Sequence, residues 1–138
     1  MKIIIDSRMR EIEKEYLSRF GELVQILPQD SVYGEISGHP DIFFCKINNC
    51  LFRAPNLVLD LGISGRDNVG FNYPEDIKYN VCQLGNFVIH NFKYTDKNVL
   101  DYIEKNGLDK VQVNQGYSNC STCVVSDRAC ITSDVRNI

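Results

Sequence analysis

Two short stretches of this chain carry residues that can do chemistry. The first, Gly116-Tyr117-Ser118-Asn119-Cys120-Ser121-Thr122-Cys123, sets two thiols three residues apart just after a glycine. The second, His39-Pro40-Asp41, sets an imidazole and a carboxylate two residues apart. A thiol of ordinary pKa, ~8.5, is mostly protonated at neutral pH, so a cysteine nucleophile needs help. An imidazolium nearby, or backbone N–H groups at a tight turn, supply it. On a strand, alternation puts His39 and Asp41 on one side, where Asp41 can fix the imidazole tautomer or bind a cation. The plain alternative is structural. Small polar residues after a glycine make an ordinary turn into a strand, and a histidine before proline is pushed to extended geometry.

Metal binding is another reading of the same residues. Cys120-x-x-Cys123 is half of a zinc signature. On an extended strand these thiols point to opposite faces, so they converge only if Ser121 and Thr122 turn. No second close pair exists, because Cys45 and Cys50 flank a hairpin turn. No resident metal or cofactor is therefore expected. Cys45, Cys82 and Cys130 lie inside apolar strand patterns and read as buried thiols.

The elements that must position these residues repeat. Gly38 to Asn56 reads as a hairpin turning at Asn48-Asn49. Gly116 to Asp134 reads as a hairpin turning at Ser126-Asp127. Aligned glycine on glycine, Cys45 falls on Cys123. A shorter copy runs from Tyr79 to Asn91 and turns at Gly85-Asn86, a strong two-residue hairpin signal. Self-similarity of this kind indicates repeated structural units.

Between the hairpins, Lys2-Ile3-Ile4-Ile5 is a β-branched strand, and Asp6-Ser7 offers a helix cap. Met9, Ile12, Tyr16, Leu17 and Phe20 recur at helical spacing, which predicts an amphipathic helix over 8–20. Glu22 to Leu27 returns as a strand. Leu57 to Leu61 fits a helical turn or a strand, and Gly62 to Gly70 reads as loop. Thr95-Asp96 caps a second helix, over 95–106, whose buried stripe is Val99, Leu100, Ile103 and Tyr102 and whose end is Asn106-Gly107. Lys110 to Val113 is the strand that follows. The expected fold class is α+β: ββαβ-type units, a mixed sheet, three hairpins and two main helices, in one domain over 1–138.

Composition narrows the function. The 138 residues carry a formal net charge of -3, with basic residues scattered. No basic stripe is available to neutralise a phosphate backbone, so nucleic acid is not an expected partner. No apolar run approaches the ~20 residues that span a bilayer, so no membrane partner is expected either. The short apolar start is broken by Asp6 and reads as no export signal, which predicts a cytoplasmic protein with reduced thiols.

The order of hairpins, helices and strands, with Gly116–Ser121 and His39-Pro40-Asp41, resembles the pentein, or guanidine-modifying-enzyme, fold. That family arranges ββαβ units around a central site. The resemblance implies a partial propeller of about three units, as in a short or truncated member. It places Cys120 where the family has its nucleophile, His39 as proton shuttle and Asp41 beside it. It assigns the flanking Asn119 and Ser121 to substrate binding. The implied reaction is hydrolysis or amidino transfer on a small guanidine compound, without a cofactor. Asp6, Asp30, Glu35 and Asp60 are the acidic candidates for holding the guanidinium. Two other readings stand beside it: a non-catalytic small-ligand-binding or self-associating protein, and a zinc module. Open sheet edges predict a homo-oligomer.

Overall fold

The computed structural model describes residues 1–133. Strand β1 (Lys2–Asp6) pairs parallel with β2 (Glu22–Ile26), joined by helix α1 (Glu11–Ser18). A single turn of helix, α2 (Pro40–Phe43), leads into the hairpin β3 (Phe44–Ile47) and β4 (Cys50–Arg53). The short β5 (Ile63–Ser64) then joins β4 in parallel. The next hairpin is β6 (Cys82–Leu84) and β7 (Phe87–His90). Helix α3 (Lys97–Lys105) returns the chain to β8 (Asp109–Gln112), parallel to β7. The last hairpin is β9 (Thr122–Ser126) and β10 (Ala129–Thr132). Among the described residues no helix is long and apolar enough to cross a membrane.

The class is α+β, and one plan repeats. In β3-β4-β5 and in β6-β7-β8 a hairpin is followed by a third strand laid parallel to the hairpin's second strand. The crossover is irregular coil in the first unit and α3 in the second. The pair β1–β2 with α1 repeats the plan's second half, and β9–β10 repeats its first half. The result is four small sheets rather than the single mixed sheet expected. The units lie side by side through their first strands, β3 beside β6 and β6 beside β9. Turn contacts lock that packing. Gln83 accepts from the Asn48 N–H at 2.6 Å and donates to the Asn48 carboxamide at 2.8 Å. Gly85, at φ 58°, lies so close to the Asp127 carbonyl that a Cβ there would collide with it.

The core gathers Ile42, Phe43, Ile47, Phe52, Tyr79, Val81, Val88, Val99 and Ile103. Each such apolar side chain contributes roughly 1.5–3 kcal/mol by leaving water. Helix α3 behaves as its sequence predicts, with Val99 and Ile103 buried and Leu100 and Tyr102 half-buried. Helix α1 does not. Ile12, Tyr16 and Phe20 are exposed, and its N-cap is Arg10. Asp6 is unavailable as the cap because it accepts from the Arg8 N–H at 2.7 Å and from the Arg8 guanidinium, also at 2.7 Å. Four further expectations change. Residues 40–43 are helical because proline suits a first helical turn, so His39 and Asp41 do not share a strand face. Ile63–Ser64, read as loop, is a strand. Cys130 is exposed, since β9–β10 is a two-stranded ribbon, whereas Cys45 and Cys82 are buried. The third hairpin turns at Asp127-Arg128, one residue later than expected, and its expected end at Asp134 lies outside the described residues.

Asp96 holds the centre. It is fully buried and caps α3 through the Val99 N–H at 3.1 Å. Its other oxygen accepts from the N–H groups of Arg66 and Asp67, both at 2.8 Å, and from the Tyr79 hydroxyl at 3.0 Å. We expect Asp96→Ala to destabilise the protein by about 3–5 kcal/mol, because it orphans several buried donors at once. Urea denaturation measures this; a loss under about 1 kcal/mol would show that water replaces the carboxylate at no great cost.

Candidate functional site

Three side chains from three successive units meet at one point. Asp41 lies three residues before β3, Asn80 two before β6 and Cys120 two before β9. They are 39 and 40 residues apart along the chain. Side-by-side packing of the first strands brings these like positions together at one end of the molecule.

Asn80 is the hub. It is fully buried and uses its whole carboxamide. Its Nδ2 donates to the Asp41 carbonyl at 3.1 Å and to Cys120 Sγ at 3.0 Å. Its Oδ1 accepts from the N–H groups of Asn119 at 2.8 Å and Cys120 at 3.2 Å. The Cys120 thiol in turn donates to Asp41 Oδ2 at 2.6 Å. Residues 118–121 form a turn, closed by the Ser121 N–H on the Tyr117 carbonyl at 3.1 Å. The Ser121 hydroxyl donates to the same carbonyl at 2.9 Å, so it serves the turn.

This turn is seated from below. Gly116 packs so closely against the Ile77 and Tyr73 side chains that a Cβ there would force them to move. Its carbonyl lies 3.0 Å from His90 Nε2. A carbonyl only accepts, so Nε2 carries the proton and Nδ1 accepts from the Thr95 hydroxyl at 2.6 Å. Burial lowers the His90 pKa to about 4, against the smaller opposing pull of the Gly116 and Ile77 carbonyls. The neutral ring is therefore a structural strut. His90 is the last residue of β7.

A cleft of about 350 Å³ opens between β3 and β6, lined by Asp41, Phe44, Lys46, Gln83 and Asn119 among others. Cys120 lines a neighbouring groove with Ser121, Thr122 and Cys123, and touches this cleft through Asp41. As a residue Cys120 is exposed, but its sulfur is engaged by Asp41 and Asn80. Burial first, then the Asp41 charge and hydrogen bond, push the thiol up to about 12; the Asn80 amide pulls weakly the other way. The expected activated thiolate is therefore not the resting state, because a carboxylate occupies the place expected of an imidazolium. His39 is exposed and lines a different groove, with Asp6, Arg8, Met9 and Glu35. The charge it influences is that of Asp6, whose pKa is lowered chiefly by the hydrogen bond from Arg8. Thus Cys120, Asp41 and Asn119 are brought together, and His39 is placed elsewhere.

Of the four acidic candidates, Asp6 pairs with Arg8 and Asp60 pairs with Arg53. The buried acid near the site is Asp76, which the sequence did not single out. Asn80 was also missed, because one asparagine in a polar segment carries no signal until its partners are known. Among the described residues no three His, Cys, Asp or Glu side chains converge to hold a metal ion.

The architecture and the site define an α+β protein of repeated hairpin-and-strand units with a thiol–carboxylate pair on a cleft. The chain belongs to a family of unknown function, DUF6873, whose profile matches residues 4–137. Searches of curated proteins and of solved structures give no significant match.

The strut sets a pH dependence. A His90 held neutral in the fold, but free to protonate when unfolded, stabilises the protein fully above about pH 6.5. That contribution, on the order of 3 kcal/mol, is lost as pH falls towards about 4. Urea midpoints measured across this range should drop for the wild type and drop less for His90→Asn. Equal slopes for both proteins would remove His90 from the acid response.

Proposed function

We propose that this chain binds a small guanidinium or amidinium compound at the Asp41–Asn80–Cys120 site, on a partial propeller of pentein-like units, with Cys120 as its nucleophile. The observation that carries this reading is the convergence of like positions from three successive units on one thiol–carboxylate pair beside a cleft. A ligand cation seated on Asp41 offsets the charge that holds the proton on sulfur, so the thiol becomes reactive when the ligand is present. The sulfur then bonds to the guanidinium carbon, its proton passes to the departing amine, and water later cleaves the thiouronium to release product. Asp41, rather than His39, is the group placed to handle that proton.

A non-catalytic reading has its own support. A thiol raised to about 12, with His39 on another groove, describes an idle nucleophile in a site that still binds cations. One pair of measurements separates the two. Iodoacetamide near pH 7 should label Cys120 more slowly than the exposed Cys123, and Asp41→Asn should speed Cys120 labelling by about ten-fold, the effect of about one pKa unit. Guanidinium chloride below denaturing concentration should speed it in the wild type only. If arginine, agmatine and methylated arginines also release ammonia, and Cys120→Ser abolishes that release, the site is catalytic. Binding without release supports the binding module. No guanidinium effect on labelling refutes both.

Self-association belongs to the same proposal. Ile12 and Tyr16 on α1, Phe20 just after it, and Val124, Val125 and Ile131 on β9–β10 are exposed apolar side chains on opposite halves of the sequence. A second copy is the simplest cover. Light scattering at high micromolar concentration should give at least a dimer mass, and a monomer mass would end this part of the reading.

A further inference from the structure

Three lysines line one groove at the start of α3. The groove holds about 370 Å³, and Lys78, Lys93 and Lys97 stand on its wall. It shares no lining residue with the Asp41 cleft. Lys78 is half-buried, and Lys93 and Lys97 are exposed. Among the described residues none of the three forms an ion pair. The Lys93 ammonium has only the Tyr94 ring, whose centre is 5.2 Å away. Two carboxylates, Asp67 and Glu75, line the same groove, and neither is paired with a lysine. Asp67 Oδ2 instead accepts from the Lys97 backbone N–H at 3.3 Å. Three positive side chains against two negative ones leave the groove with an excess of one positive charge.

The chemistry of these groups selects the ligand. A lysine ammonium is a compact charge with three donors on a flexible stem. Three of them on one groove suit an anion that gathers several oxygens on one centre. A single carboxylate offers two oxygens and one charge, and it meets repulsion from Asp67 and Glu75. A phosphate group offers three acceptor oxygens and nearly two charges, so it gains more from the lysines against the same opposition. The rest of the wall includes Pro74, Tyr94 and Leu100, which give an apolar surface beside the charges. That surface suits the organic part of a monoester, and the volume is that of a small-molecule pocket. The helix end itself is already served, because Asp96 accepts from the Val99 N–H and Asp67 from that of Lys97. The site therefore rests on the lysines and the groove.

We propose that the groove lined by Lys78, Lys93 and Lys97 binds a phosphate group, as the free ion or as the head of a small phosphomonoester. The site stands on its own residues and does not rest on the guanidinium reading of the Asp41 cleft.

Isothermal titration calorimetry on the full chain tests it, with phenyl phosphate and inorganic phosphate as probes at about 0.15 M sodium chloride. At least one of them should bind with a dissociation constant below about 1 mM. Benzoate, which has the ring and one charge, should bind at least about ten-fold more weakly. Lys93→Gln and Lys97→Gln should each weaken phosphate binding about ten-fold, the effect of one charge-assisted hydrogen bond. Lys105→Gln, at the other end of α3, should leave it unchanged. Glu75→Gln removes an opposing charge and should tighten binding about three-fold, a gain that damage to the fold cannot imitate. Tighter binding of phenyl phosphate than of phosphate assigns the site to an ester, and equal binding assigns it to the free ion. Saturation by neither probe, benzoate binding as tight as phenyl phosphate, or affinities indifferent to Lys93→Gln and Glu75→Gln would overturn the proposal.

Discussion

One buried carboxylate, that of Asp96, organises the centre of this protein. Carrying a charge out of water costs several kcal/mol unless donors replace the lost solvent. Asp96 finds four, and they come from three places: the first turn of α3, the backbone at Arg66–Asp67 and the hydroxyl of Tyr79. The helix, the chain just beyond β5 and the segment that leads into β6 therefore share one acceptor. A shift in any of them costs the buried carboxylate a donor. The neighbour of Tyr79 in sequence is Asn80, so the anchor that fixes the fold also fixes the hub of the site. The same charge, added to burial, holds the Cys45 thiol far above its ordinary range and makes that cysteine inert.

From Asn80 outward the site is built by saturation rather than by strong single bonds. The carboxamide meets two donors and two acceptors, and its partners are backbone groups as well as the sulfur. His90 closes the assembly from beneath through the Gly116 carbonyl. Such a network defines geometry well but does little for reactivity. What sets reactivity is charge, and the nearest charge to Cys120 is the carboxylate of Asp41. A thiol that donates to a carboxylate is kept as a thiol. Any reactivity of this thiol would thus depend on what neutralises Asp41.

Patterning made much of the fold readable from sequence. Gly85-Asn86 and Asn48-Asn49 mark their turns locally, and Asp96 with the Val99 and Ile103 stripe specifies α3 without outside help. Helix α1 shows where this stops. Its apolar residues recur at helical spacing too, though less sharply than those of α3, and the structure buries none of its residues. Periodicity says which face can be covered, not whether anything covers it. Cys130 was misread for the same reason. His39-Pro40-Asp41 was misread for another: proline is compatible with both an extended pair and a first helical turn, and the helix separates the two side chains. Asn80, Asp76 and His90 were invisible because their roles come from partners that are remote in sequence, up to 41 residues away for Asp76. Cys120 was readable only as a thiol in a glycine turn; that its neighbour is a carboxylate is a tertiary fact.

The repeat itself explains how so short a chain makes a site at all. A single hairpin unit buries one face and presents a turn before its first strand. Alone, that turn would be a surface feature with no partner. Packing β3, β6 and β9 side by side, with Gln83 clasped to Asn48 and Gly85 pressed on the Asp127 carbonyl, sets three such turns next to one another. An acid from the first, an amide from the second and a thiol from the third then fall within hydrogen-bonding distance. Their identities differ, but their place in the unit is nearly the same. Chemistry in this architecture therefore needs no long loop to gather its residues. It needs only different side chains at one repeated position, and a lateral packing rigid enough to keep them in contact.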